Sequence, residues 1–145
     1  MKLKQPKVTK IKKIRKGVLK KLTSKSVFLK KGVFGIKSQQ AGIISSKNIE
    51  SARQSISRKT KRKGKIWINI FPDLPITSKS SGVRMGKGKG SFHNWSVKVK
   101  PGTVLFEICG ISQKIAKAAF KTGRAKLPLK TKTFNIKNLK FSVFN

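Results

Sequence analysis

Gly82-Val83-Arg84-Met85-Gly86-Lys87-Gly88-Lys89-Gly90 places four glycines and three cations in nine residues. Glycine lets a backbone turn through positive φ and approach a partner closely. A run of exposed N–H groups in such a stretch suits anions. Arg84, Lys87 and Lys89 add charge to the same place, and no carboxylate lies between Asp73 and Glu107 to neutralise them. The chemistry on offer is contact with a polyanion that carries closely spaced phosphates. The plainer alternative is a solvated loop whose lysines meet only water. A nucleotide-binding P-loop fits poorly. That motif needs four residues between its first Gly and the Gly-Lys-Ser/Thr, whereas only Val83, Arg84 and Met85 separate Gly82 from Gly86, and Gly88 follows Lys87.

Covalent and acid–base chemistry is thinly supplied. Glu50, Asp73 and Glu107 are the only carboxylates, and they fall on a helix start, a turn and a strand. His93 is the single histidine and has no second histidine or acid near it in sequence. It reads as a loop or RNA-facing residue rather than a general base. Cys109 is the only cysteine, so no intrachain disulfide can form. Its apolar strand pattern marks it as a small buried hydrophobe. No zinc-ligand spacing is present. The chain reads as a binder and not an enzyme, with no metal or cofactor expected.

Composition says what is bound. The chain has 145 residues, with 37 Lys and Arg against three Asp and Glu, a net charge of +34. Self-repulsion on that scale opposes compaction unless counter-charge is bound. Nucleic acid is the first choice of partner and an anionic membrane the second. Lysine, a compact point charge, far outnumbers arginine, which favours planar bidentate contacts. Hydrophobic content is 37%, below the roughly 45–50% of ordinary globular domains, so one domain with a modest core is expected. No apolar run approaches the ~18 residues of a membrane-spanning helix. The N-terminus lacks the apolar stretch of a secretory signal.

Elements must position the loop. Residues 1–32 form a basic arm, with five cations in Lys10-Ile11-Lys12-Lys13-Ile14-Arg15-Lys16. Such charge density predicts an extended or weakly helical arm that orders on RNA. Gly32–Lys37 reads as a short strand, and Gln40-Ala41-Gly42 as a loop. Ser46 is the expected N-cap of a helix reaching about Lys63 and stopped by Gly64. Ile49, Ala52 and Ile56 form its apolar stripe, Glu50 sits in its first turn, and Arg58 to Lys63 crowd its last turn. The surplus of cations there, with Arg53, reads as a phosphate-facing ridge. Lys65–Phe71 reads as a strand covered on most of two faces. Pro72-Asp73-Leu74-Pro75 reads as a rigid turn. Asn94–Lys100 alternates, with Trp95, Val97 and Val99 inward and Ser96, Lys98 and Lys100 outward. Pro101-Gly102 then predicts a hairpin to a partner strand carrying Val104, Phe106 and Ile108. Ser112 caps a second helix over about Gln113–Ala125, with Ile115, Ala116, Ala119 and Phe120 on its apolar face and Gly123 as a cost. At least one further strand is expected in the tail. The mixture of helices and antiparallel strands, without βαβα alternation, predicts an α+β fold.

Several motifs in one order carry a resemblance. Gly64-Lys-Ile-Trp-Ile-Asn-Ile-Phe-Pro-Asp-Leu-Pro-Ile-Thr77 and Arg84-Met-Gly-Lys-Gly-Lys-Gly90 resemble the large-subunit ribosomal protein L-sixteen family (universal L-sixteen, L-ten-e). Lys10–Gly17, Phe34-Gly35, Ile49-Glu50-Ser51-Ala52-Arg53, Trp95, Lys100-Pro101-Gly102, Gly110 and Ala125-Lys126-Leu127-Pro128 also resemble family positions, so the likeness covers most of the chain. It implies a two-layer α+β domain of hammerhead type, divided as a basic arm over 1–32, a body over 33–133 and a C-terminal extension over 134–145. It implies a structural role in the large ribosomal subunit, near the peptidyl-transferase centre and the aminoacyl-tRNA site. The glycine-rich loop, through Arg84, Met85, Gly86, Lys87, Gly88 and Lys89, would face tRNA. Lys10, Lys12, Lys13, Arg15, Lys16, Arg53, Arg58, Lys61 and Arg62 would hold ribosomal RNA. Neighbouring ribosomal proteins are the other expected partners, with no membrane and no homo-oligomer. Gln39-Gln40-Ala41-Gly42-Ile43, Ser78-Lys79-Ser80-Ser81 and Ser51-Ala52-Arg53-Gln54 depart from the family pattern. This divergence and the lysine bias point to a mitochondrial member made without a presequence, with bacterial cytoplasm or plastid as alternatives. Two rival functions remain at this point: a free-standing basic binder of nucleic acid or anionic membrane, and a nucleotide-dependent enzyme using the loop and His93.

Overall fold

The computed structural model describes residues 5–6, 13–17, 19, 28–86 and 88–135. The elements are β1 (Phe34–Ser38), β2 (Gly42–Ser45), α1 (Ser46–Lys59), β3 (Lys65–Ile68), β4 (Leu74–Ser78), β5 (Ser91–Val99), β6 (Val104–Cys109), α2 (Gln113–Arg124) and β7 (Thr131–Asn135). They form an α+β fold with two antiparallel sheets, ordered β3-β6-β1-β7 and β2-β5-β4.

Strand β6 is the deepest element. Val104 to Ile108 are all buried, which a strand achieves only when both its faces are covered. Its neighbours β1 and β3 flank it in the sheet, and α1 and α2 pack against each other and against the strands. Ile36, Ile44, Ile49, Ala52, Ile56, Phe106, Ala119 and Phe120 meet in one core drawn from both sheets and both helices. Gly123 lies where the helices approach. A Cβ there would stand 2.6 Å from Ile56 Cγ1. The expected propensity cost of that glycine is therefore offset by a helix contact that no larger residue permits.

The structure revises several sequence expectations. No β5–β6 hairpin forms. The Pro101-Gly102 turn is present, with Thr103 N–H donating to Lys100 O at 3.2 Å. It carries the chain between sheets. Gly102 N–H donates to Ser38 O (2.7 Å) and Ser38 N–H donates to Thr103 O (2.9 Å), which recruits the departing strand to β1. Strand β5 instead pairs with β2, which begins at the last residue of the expected Gln40–Gly42 loop, and with β4, which takes in the second half of the expected Pro72–Pro75 turn. Pro75 sits within β4, where a sheet edge tolerates its missing N–H. Ser96, expected outward, is buried in the central strand of its sheet.

Helix α1 is capped by Ser45, whose hydroxyl accepts from Asn48 N–H at 3.3 Å. It ends at Lys59 rather than near Lys63, because Lys61 and Arg62 turn left-handed (φ 51° and 61°). With Ser45 rather than Ser46 as the N-cap, Glu50 lies beyond the first turn. Strand β3 stops at Ile68 and is an edge strand, half-buried rather than covered on both faces. In α2 the buried side is Ala116, Ala119, Phe120 and Gly123, and Ile115 is exposed. Cys109 is only half-buried. The tail strand is β7, at the sheet edge beside β1. Residues 136–145 of the tail lie outside the described residues.

Glu107, at the centre of β6, is wholly buried. Its Oε2 accepts from Gly32 N–H (2.7 Å), Lys31 N–H (2.7 Å) and Lys30 N–H (3.2 Å). The Asn69 side-chain amide donates to Oε1. Burial pushes the carboxyl pKa up, but the N–H groups of Gly32, Lys31 and Lys30 and the Asn69 amide outweigh it and hold it below 4.5. The unfolded chain therefore binds the proton more tightly. This contribution to stability is complete above about 4.5 and is lost as pH falls through the lower folded value. We expect Glu107→Gln to destabilise the chain by about 1–3 kcal/mol at neutral pH, since an amide cannot satisfy all those donors. Denaturant titrations from pH 7 to 3 check this: the variant should lose less stability on acidification than the native chain. A parallel acid limb would refute the assignment.

Candidate nucleic-acid interface

The glycine-rich stretch is the connection of the β4–β5 pair, between Ser78 and Ser91, which lie opposite each other. At its base, a side chain on Gly90 would collide with the Ser78 carbonyl. Farther out the need is conformational. Gly86 and Gly88 take φ of 98° and 76°, yet a Cβ at either would meet nothing within 4 Å. The loop thus has a backbone path that suits glycine and empty space around it, as expected of a segment that approaches a partner. Met85 is 99% exposed. Arg84 is exposed and takes part in no salt bridge among the described residues. Lys87 lies outside the described residues.

Two lysines of this region hold backbone. Lys79 donates to the Gly86 carbonyl across the loop. Lys89 donates to the Ile14 carbonyl at 2.8 Å, and Lys13 donates back to the Lys89 carbonyl at 3.4 Å. The structure therefore brings the basic arm against the loop, and Lys13, Arg15 and Lys16 are exposed beside it. Lys10 and Lys12 lie outside the described residues. Lys79 escaped the sequence reading. Its proximity to Gly86 follows from the β4–β5 pairing, which periodicity did not reveal.

The second basic group stands on another element. Arg58, Lys59, Lys61, Arg62, Lys63 and Lys65 are exposed along the end of α1 and the turn into β3. Lys61 and Arg62 hold a left-handed backbone that is unusual for side-chain-bearing residues. Arg62 N–H donates to Ser57 O at 2.9 Å and Lys61 N–H to Arg58 O at 3.0 Å, closing the helix end. Arg53 is set apart from this ridge. Its guanidinium pairs with Glu50 at 2.7 Å. The hydrogen bond from Arg53, opposed by burial, holds the Glu50 carboxyl below its ordinary value, and the same bond raises Arg53. His93 is exposed on β5, and no cluster of three metal-binding side chains occurs among the described residues.

Among the described residues, these two basic groups have almost no compensating acid beside them, a geometry suited to contact with an anionic partner. A family model described as ribosomal protein L16p/L10e matches residues 3–134. The chain is 48% identical over 128 residues to the large ribosomal subunit protein uL16 of Rhizobium rhizogenes, covering 88% of this chain and 93% of that protein. The uL16 proteins of Agrobacterium fabrum and Sinorhizobium medicae are 48% and 47% identical over the same shares.

The left-handed pair yields a test. Glycine adopts that conformation without the penalty of about 1–2 kcal/mol that other residues carry. We expect Arg62→Gly to stabilise the isolated chain by about 1 kcal/mol while weakening its binding to RNA. Denaturant midpoints and filter binding read the two effects. Loss of stability, or unchanged binding, would show that Arg62 has no such divided role.

Proposed function

Since the chain belongs to the ribosomal protein L16p/L10e family, and is a structural constituent of the large ribosomal subunit and not an enzyme, we propose that it neutralises large-subunit RNA through two separate basic surfaces. The exposed cations at the end of α1 and those of the arm hold ribosomal RNA, with neighbouring ribosomal proteins as its other partners. The loop at the tip of β4–β5 contacts tRNA near the peptidyl-transferase centre and the aminoacyl-tRNA site. Arg84 and Lys87 reach the partner, while Lys79, Lys89 and Lys13 keep the loop in place. The working division is a basic arm over 1–32, a body over 33–133 and an extension over 134–145, and the protein acts without forming a homo-oligomer.

The observation that carries this reading is the loop itself: an exposed Arg84 and Met85 between open glycines, braced at its base by lysine–carbonyl contacts. Affinity would come from phosphate neutralisation and selectivity from RNA shape. The named relatives are bacterial and favour a bacterial cytoplasmic setting. Only the departures from the family pattern and the lysine bias speak for a mitochondrial one.

Arg84→Ala should leave large-subunit assembly near normal and slow peptide synthesis, because the loop positions a substrate rather than anchoring the protein. Subunit yield by sedimentation and elongation rate in a reconstituted system measure the two. Normal elongation by intact variant subunits would overturn the placement of the loop. Failure of the native chain to co-sediment with large subunits at moderate salt would overturn the RNA reading altogether.

A further inference from the structure

Strand β5 carries a feature that the loop does not use. Ile76 lies opposite Asn94 and Thr77 opposite Phe92, so His93 is an extra residue, a bulge in β5. Side chains alternate along a strand, and residues three apart normally point to opposite faces. A bulge shifts that phase and re-aims a side chain. Here it brings Phe92 and Trp95 to one face, with ring centroids 5.0 Å apart and an interplanar angle of 52°. Trp95 is half-buried opposite Pro75, whereas Phe92 is 38% exposed opposite Thr77. One ring is anchored and the other is presented.

The surroundings indicate what Phe92 is presented to. Its chain neighbours Ser91 and His93 are exposed and polar. Lys79 and Lys89 stand at the adjoining loop base. The chain has no carboxylate between Asp73 and Glu107, and Glu107 is buried. A partly exposed aromatic ring beside a loop that carries cations fits a partner that is both aromatic and anionic. Unpaired nucleotides have that chemistry, and proteins recognise them by stacking bases on aromatic side chains beside phosphate-binding cations.

We propose that Phe92, supported by Trp95, is a stacking platform for an unpaired nucleobase of large-subunit RNA at the root of the glycine loop. The proposal rests on the RNA-binding reading above. The bulge at His93 is what makes the site, because without it Phe92 would face away from Trp95.

The full-length chain with Trp67→Phe retains one indole, Trp95, which then reports on the site. Titration with large-subunit ribosomal RNA at fixed salt should change Trp95 emission. Phe92→Leu keeps an apolar contact on Trp95 but removes the π-face, and should weaken binding about 5- to 150-fold, the range of one base–aromatic stack. The slope of log affinity against log salt should stay constant, since no phosphate contact is removed. Phe92→Tyr should bind like the native chain, which separates stacking from any disturbance of the strand. Native affinity of the leucine variant would overturn the proposal. So would a changed salt slope, which would mean that Phe92 only shapes the basic loop. Unaltered RNA binding with failed incorporation into subunits would assign the ring to a protein neighbour instead. If the native chain binds no ribosomal RNA, the broader RNA reading falls with it.

Discussion

A buried carboxylate governs this molecule, and its partners are backbone. Glu107 sits at the centre of the deepest strand in a chain with 37 Lys and Arg. A salt bridge would be the obvious way to keep it ionised, but consecutive N–H groups of Lys30, Lys31 and Gly32 do so, with the Asn69 amide. Hydrogen bonds to a charged acceptor in a buried setting are stronger than neutral ones. The arrangement pins the root of the arm and the chain leaving β3 to β6 at a single point. It also leaves the side-chain cations of Lys30 and Lys31 free of that role. Among the described residues one salt bridge forms, between Arg53 and Glu50. With three carboxylates against 37 Lys and Arg, nearly all of the positive charge has no acid of this chain to balance it.

That economy shapes the surface. Cations near the loop fall into two kinds. Lys79, Lys89 and Lys13 bond carbonyl oxygens, which costs the chain none of its carboxylates and leaves their charge in place. Arg84 projects free of any salt bridge among the described residues. The loop is tied across by Lys79 to Gly86 and to the arm by Lys89, while the space around Gly82, Gly86 and Gly88 stays unobstructed. The cations at the end of α1 are displayed differently, on a turn forced into left-handed geometry at Lys61 and Arg62. Strained backbone of this sort persists only where its surroundings fix it. Here Arg62 and Lys61 N–H groups are tied to Ser57 and Arg58.

Much of this was legible in the residues. The apolar stripe Ile49, Ala52, Ile56 marked α1, and Ser112 with the run to Arg124 marked α2 to within a residue. Strand β1 and the α+β class followed from periodicity, and the glycine loop from composition alone. Pairing was not legible. A turn such as Pro101-Gly102 looks identical in sequence whether the next strand returns beside the last or crosses to another sheet. Strand β4 was hidden by Pro75 and the preceding Pro72, which read as a turn because the tolerance of Pro75 at an edge depends on a sheet not yet known. The same ignorance of pairing hid Lys79 and the Phe92–Trp95 contact, both products of β4–β5 register. Ile115 was misassigned because a helix stripe has a centre that small residues and Gly123 can shift.

The contact between Gly123 and Ile56 reaches beyond packing. The helices meet with less than a methyl group of room between these positions. Position 123 therefore cannot grow alone: a bulkier group there demands a smaller one at position 56. In descendants of this chain, any residue larger than glycine at 123 should arrive with a trimmed side chain at 56.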